Sequence, residues 1–276
     1  MAVRALGWRR DKFDPRDAKY SFGQKLRSAI PSAPATFSLK DRVARVLDQG
    51  NLGSCVGCGT MQAVRIAHVG MLLSSLGNIV SALAASKLGS VLWAYYFGRA
   101  AEHMTGLDSG CQIRNCITGL VKLGLPIEEV WPYSDSTAPG ASFQRWPGKD
   151  VFDAAFDQIG GYHRIDSNGS QREEDVRLAI SSGRAVIAGW DVSEQFCSED
   201  PGTDLVDVLQ SSDRIAGGHC MIFTGYSPNE VELCNSWGKA WGMSGFFRGT
   251  WNWVDTAEDI WMVDVAPLFI EEKEAA

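Results

Sequence analysis

The chain has 276 residues, enough for one large domain or two small ones. Its 45% hydrophobic and 21% charged residues exclude wholesale disorder and allow a sizeable core without disulfide staples. The net charge of −7 gathers at the C-terminus, where residues 252–276 hold seven acidic residues against Lys273. An acidic end on a nearly neutral body argues against a nucleic-acid-binding face.

In chain order, the lead MAVRALGWRRDKFDPRD has no apolar stretch of the signal-peptide kind. Residues 1–34 read as an N-terminal extension, with Pro31 and Pro34 marking an extended approach segment. Residues 53–105 are rich in helix formers, with Gly53-Ser54 at the start and Ser54 as N-cap. Within them, residues 69–86 carry no charge and just reach the length of a membrane span. Their serines, asparagine and glycines favour a buried or loosely packed helical segment, with membrane or partner contact as the lesser reading. A second helical run over 111–123 stops at Gly124. The loop 135–149, with Pro139 and Pro147, marks a boundary between lobes. Ser170-Gln-Arg-Glu173 has capping-box form before a helix that ends at Gly183. Strand-like runs follow at 184–190, 220–226, 231–237 and 245–249. The first half therefore leans α and the second β, and the acidic tail 266–276 reads as a solvated end.

Three patterns carry chemistry. The first is Asp48-Gln49-Gly-Asn-Leu-Gly53-Ser54-Cys55, which runs into the first helix. A thiol at a helix start meets unpaired N–H groups and the helix dipole, which favour the thiolate. The second is Gly217-Gly218-His219, opening a strand-like run. The third is Asn235-Ser-Trp237-Gly, followed by Trp241-Gly and Gly245-Phe-Phe-Arg248. If Gly225–Asn229 is a five-residue hairpin loop, Thr224 pairs with Glu230 and His219 falls opposite Asn235. The amide then accepts the Nδ1 proton of the imidazole, and the other ring nitrogen faces the thiol.

Together these patterns resemble the papain-like (C1) cysteine peptidases, over roughly residues 35–265. Gln49 stands six residues before Cys55, as in that family, and the signature from Asn235 to Arg248 follows the family's order and spacing. Asp108-Ser109-Gly110 and Trp131-Pro-Tyr133 resemble its substrate-cleft segment and the aromatic segment after it. The resemblance implies an α+β fold of two lobes, a helical lobe over about 50–135 and an antiparallel β-rich lobe over about 136–265, with a cleft between. It implies a cysteine endopeptidase with Cys55 as nucleophile, His219 as base and then acid, and Asn235 orienting the ring. Trp237 would shield that hydrogen bond, and Gln49 with the Cys55 N–H would form the oxyanion hole. Gly53, Ser54, Ser109, Gly110, Gly218 and Trp237 would line the substrate cleft. The partner is then a protein or peptide substrate, with no cofactor or metal and no nucleic acid; the oligomeric state is left open. The resting state expected is a thiolate–imidazolium pair, and the specificity pocket is expected near Gly217-Gly218 and Ala188–Trp190, roomy or shallow because of its glycines.

The departures from the family are specific. Leu52 replaces a cysteine usually disulfide-bonded, Val56 the tryptophan after the nucleophile, and Cys220 a small residue after the histidine. Residues 70–88 look like an insertion. The odd count of seven cysteines and the missing partner at Leu52 point to a reducing, cytoplasmic setting, bacterial or that of a phage-infected host. The short lead before the catalytic part resembles prosegment-free bacterial and viral members. Two alternatives stay open: a catalytically silent papain-like module that binds peptides or a host protein, and an isopeptidase or acyltransferase on the same machinery. Cys58, Cys111, Cys116, Cys197, Cys220 and Cys234 read as small buried hydrophobes, with a redox or metal role for Cys55-x-x-Cys58 and Cys111-x4-Cys116 as the lesser reading. His68, His103 and His163 read as structural or surface residues.

Overall fold

A computed structural model describes residues 4–20, 32–156, 159–198 and 201–265. Pro31 and the acidic tail lie outside the described residues. The helical half holds α1 (Cys55–Leu76), α2 (Ile79–Ala85), α3 (Val91–Ala100) and α4 (Ile113–Leu123). The expected continuous helical stretch is broken twice because two side chains cap new starts. Asn78 accepts from the Ser81 N–H to open α2, and Ser90 from the Trp93 N–H to open α3. Gly77, in the left-handed region at φ 66°, ends α1 and returns its N–H to Leu73 O. Gly124 caps α4, where the sequence places the stop.

α1 is the central element, buried on every side from Cys55 to Val64 and again from Ile66 to Val69. Small residues permit this: a Cβ on Gly57 would stand 3.0 Å from Val91 O, and one on Gly59 3.2 Å from Cys220 Sγ. Two short helices, α5 (Lys149–Asp153) and α6 (Gly169–Ser181), lead into the second half. α6 has Asn168 at its N-cap and no side-chain cap bond, so the capping box at Ser170 does not form; Ser170 is already inside the helix.

The second half is a mostly antiparallel sheet. Its strands are β1 (Phe37–Ser38), β2 (Ile159–Arg164), β3 (Val186–Ser193), β4 (Leu205–Val206), β5 (Ile215–Tyr226), β6 (Glu230–Cys234), β7 (Phe246–Thr250) and β8 (Ile260–Val265). They run in the order β2-β8-β3-β5-β6-β7-β4, with β1 added beside β5 and only β4–β7 parallel. β3 and β5 are buried along most of their length because α1 packs on the sheet. Short helices α7 (Glu194–Ser198) and α8 (Trp251–Asp255) complete this half. The arrangement is the expected α+β architecture, a helical lobe against an antiparallel sheet lobe.

The β5–β6 register differs from the expected one. Tyr226 pairs with Val231, Gly225 with Glu232 and Phe223 with Leu233, with an irregularity at Thr224. A tighter turn and this bulge slide β6, so Asn235 is not the ladder partner of His219. No described helix is long and apolar enough to cross a membrane. The uncharged segment 69–86 forms the end of α1 together with α2, exposing Leu76 and Val80.

Candidate active site

Cys55 is the first residue of α1 and is fully buried. Ser54 holds the N-cap position, yet its hydroxyl does not cap the helix; it bonds the Tyr133 hydroxyl at 2.6 Å. Tyr133 also donates to Gln49 O at 2.8 Å, so one phenol ties the aromatic segment to the loop before the thiol. Gln49 is fully buried; its Oε1 accepts from Ser236 Oγ at 2.6 Å, which fixes the amide so that Nε2 faces the cleft. The loop's other anchor is Asp108, which accepts from the Gly53 N–H at 3.0 Å and from Tyr95 Oη.

On the sheet side, His219 is fully buried and its Nε2 lies 2.8 Å from Asn235 Oδ1. The same oxygen accepts the Ser236 N–H at 2.7 Å, so it is an acceptor and His219 Nε2 donates. The sequence argument assigns this bond to Nδ1; the structure assigns it to Nε2. Nδ1 is buried and has no hydrogen-bond partner. The bond forms despite the slid register because the chain leaves the ladder after Cys234, the Asn235 N–H turning to Gly245 O at 2.9 Å. Trp237 stacks on the imidazole at 4.5 Å and 23°, and Phe196, Trp241 and Phe247 close around it. The two sides meet at the sulfur: the N–H of Cys220, the residue after His219, faces the Cys55 thiol.

The cleft is not empty. Residues 4–9 of the N-terminal segment run through it. Ala5 O accepts from Gln49 Nε2 at 3.0 Å, and the Gly7 and Trp8 N–H groups both donate to Gly218 O at 3.1 and 3.0 Å. The Cys111 N–H donates to Gly7 O at 2.9 Å and the Arg9 N–H to Cys111 O at 3.0 Å, a parallel bridge around Trp8. The Trp8 side chain is buried against Gly189 and Gly218. A Cβ on Gly189 would stand 2.1 Å from the indole, so only glycine leaves this space. A Cβ on Gly110, at φ 67°, would stand 2.2 Å from Gly7 O, and one on Gly53 2.8 Å from Leu6 O. Arg4 lies over the Trp237 ring at 5.5 Å.

Burial decides the charges. It pushes the Cys55 thiol up to about 12, even though backbone N–H groups of Cys220 and Gly7 pull the other way. It pushes His219 down to about 4 against the opposing Asn235 bond. Both groups are therefore neutral near pH 7 with the cleft filled, and the expected thiolate–imidazolium pair is absent from this closed state.

The sequence-chosen residues Cys55, His219, Asn235, Gln49, Gly53, Gly110, Gly218 and Trp237 come together here. Ser109 turns its hydroxyl to Gly110 O, and Ser54 bonds to Tyr133 rather than into the cleft. Sequence reasoning missed Cys111 as a cleft wall, although it follows Gly110 directly, and Trp8, whose signal is a tryptophan in a charged lead. The seven cysteines are all free; Cys197 is half-buried and the other six are buried. Among the described residues no His, Cys, Asp or Glu cluster is arranged to hold a metal ion.

No family model matches the chain. An uncharacterized peptidase C1-like protein of Acanthamoeba polyphaga mimivirus is 27% identical over 94% of this chain and 86% of its own length. Cysteine proteinase 1 of Entamoeba histolytica is 28% identical over 76% of this chain and 60% of its own. Among solved structures, xylellain, a cysteine protease from Xylella fastidiosa, superposes with TM-score 0.81 at 23% identity, covering 95% of this chain and 97% of its own. Digestive procathepsin L 3 of Tenebrio molitor superposes with TM-score 0.63 at 19% identity, covering 92% and 76%.

Proposed function

We propose that this chain, a papain-like cysteine peptidase of the C1 type, hydrolyses peptide bonds through an acyl-enzyme on Cys55. One observation carries the reading: His219 gives its Nε2–H to Asn235 and leaves Nδ1 as an unpaired base in the site that holds the thiol. With the cleft open to water, the burial that keeps both groups neutral is relieved, and Nδ1 takes the thiol proton. The thiolate attacks the substrate carbonyl carbon, and the developing oxyanion is met by Gln49 Nε2 and the Cys55 N–H. His219 then protonates the departing amine, releasing the C-terminal product. Water, deprotonated by the same ring, attacks the thioester and frees Cys55. The Trp237 stack and its aromatic neighbours keep water from the His219–Asn235 bond.

The space over Gly189 and Gly218, which accepts an indole, supports a preference for substrates with a bulky aromatic side chain. Seven free thiols support a reducing compartment. The test is labelling of a variant lacking residues 1–17 with a peptide-like electrophile near neutral pH. Cys55 is expected to react selectively, and His219→Ala to slow the reaction strongly. Equal labelling of all accessible thiols, indifferent to His219→Ala, would sink the reading. The peptide-binding alternative draws on the filled cleft; fast Cys55 labelling without turnover of any peptide library would favour it.

A further inference from the structure

α1 carries a polar side chain that the proposed chemistry leaves unused. Gln62 stands seven residues after Cys55, two helical turns on, and shares its face with Cys58 and Gly59. This face packs against β5 just past His219. Between them, Cys58, Gly59 and Gln62 from α1, Cys220 and Ile222 from β5, and Asn235 line a cavity of about 10 Å³. Glycine at position 59 leaves that space open, since a Cβ there would stand 3.5 Å from Ile222 Cγ2. A cavity of this size holds one water, provided that polar partners hold it on at least two sides.

Two side-chain amides supply those partners. Gln62 Nε2 donates to Arg45 O at 2.9 Å; a carbonyl only accepts, so the amide's orientation is fixed and Oε1 is its other arm. Asn235 Oδ1 faces His219 Nε2 and takes the Ser236 N–H, so Nδ2 is the other arm there. The two residues are 5% and 3% exposed, and both Gln62 Oε1 and Asn235 Nδ2 are buried without a hydrogen-bond partner. One is an acceptor and the other a donor, and both residues line the same cavity. Ser236 Oγ, which could have served either, is committed to Gln49 Oε1. Buried polar atoms are rarely left in this condition, and a complementary pair beside a water-sized space calls for a bridge.

We propose that one internal water accepts from Asn235 Nδ2 and donates to Gln62 Oε1, and that Gln62 is thereby a positioning residue for His219. The inference rests on the reading of His219 as the base for Cys55. An asparagine amide turned end for end would present its N–H groups to His219 Nε2. The ring would then carry its proton on Nδ1, and the free base would be lost. The Ser236 N–H secures the oxygen arm of Asn235, and the bridge secures the nitrogen arm. The helix that presents the thiol at its first residue therefore also helps to set, two turns further on, the tautomer of the thiol's base.

The experiment uses the full chain and two readouts: solvent exchange of the His219 Nε2–H proton by nuclear magnetic resonance, and the rate at which iodoacetamide modifies Cys55, located by peptide mapping. Magnetisation transfer from water to the Asn235 side-chain amide protons is expected in the parent. Gln62→Met keeps the side chain's length but has no acceptor oxygen. It is expected to speed the proton exchange and to slow the modification, each about fivefold. Gln62→Glu keeps an acceptor and should stay within about twofold of the parent. In an Asn235→Ala background, Gln62→Met should not change the modification rate further, because its route to the ring is gone. Equal losses in the two backgrounds would mark Gln62 as merely structural and overturn the proposal. So would parent-like rates in Gln62→Met, a Gln62→Glu as impaired as Gln62→Met, or no transfer from water at Asn235. Neither readout needs peptide turnover. Modification of Cys55 without cleavage of any peptide therefore counts against the peptidase reading alone, and turnover with a parent-like Gln62→Met counts against this inference alone.

Discussion

On the sheet wall of the cleft, His219 is held by an eight-stranded ladder, a stacked Trp237 and one side-chain amide. On the helical wall, Gln49 and Cys55 stand at a loop–helix junction held by individual hydrogen bonds from Ser236, Tyr133 and Asp108. The first wall is redundant: the β3 ladder, with Trp190 opposite His219, and the Trp237 stack fix the ring before its side-chain partner is counted. The second is a chain of single contacts, each removable. Geometry on the sheet wall should therefore survive substitutions better than chemistry does, and on the helical wall the two should fail together.

The largest test of that contrast is on the sheet wall. In the variant lacking residues 1–17, His219→Ala is expected to lower kcat about 10⁴–10⁶-fold while the fold persists. Asn235→Ala should cost far less, because the ladder and the Trp237 stack still orient the imidazole; an equal loss would show that the amide, not the ladder, places the ring. Kinetics with circular dichroism as the fold control checks both. Next, on the helical wall, Gln49→Ala should lower kcat about 10²–10³-fold with little change in KM, as for loss of one oxyanion donor. A KM effect alone would mean that the amide serves only to position substrate.

The N-terminal segment bonds both walls, and pH should separate it from them. Asp11 is held at about 6, above its ordinary 3.8, by burial and by repulsion from Asp259, with the Trp261 N–H, Arg164 and the Arg114 N–H opposing. Asp17 and the Arg10–Glu258 pair are the neighbouring charges. A carboxyl that binds its proton more tightly when docked favours the docked state below its docked pKa and loses that advantage as pH rises through it. From pH 5 to 7 the docking equilibrium should weaken about tenfold, so Cys55 labelling in the full chain should rise more steeply than in the variant lacking residues 1–17. Parallel profiles would remove Asp11 from the control of docking. The smallest effect is expected from Tyr133→Phe, which removes the bonds to Ser54 and Gln49 O: about 1 kcal/mol of stability by urea unfolding, with a parallel fall in kcat of about fivefold.

Much of the site was legible because local chemistry and fixed spacing carry it. Cys55 at a helix start, Gln49 six residues before it, and the Asn235–Arg248 signature all converge as read. Helix ends marked by left-handed glycine were readable at Gly124, while the interruptions at Asn78 and Ser90 hid inside a run of good helix formers. The hairpin register failed because a bulge at Thr224 leaves no local pattern, and the nitrogen assignment failed with it. β2 was missed because its glycines and polar residues at the sheet's edge leave no clear alternation, whereas β8, a short apolar run buried between β2 and β3, lies in a segment whose acidic residues dominated the reading.

The sequence alone determined which groups are candidates for the chemistry and in which order the two lobes are built, since those readings reside in residue type and near-neighbour spacing. Only the tertiary structure decided that the N-terminal segment fills the cleft, that Trp8 rests on Gly189 and Gly218, and that one arginine joins Asp11 to Asp259. Those contacts link residues separated by about a hundred to two hundred and fifty positions, where no periodicity reaches. The protonation of Cys55 and His219 is likewise a tertiary matter, because burial in the folded site pushes the thiol up and the imidazole down.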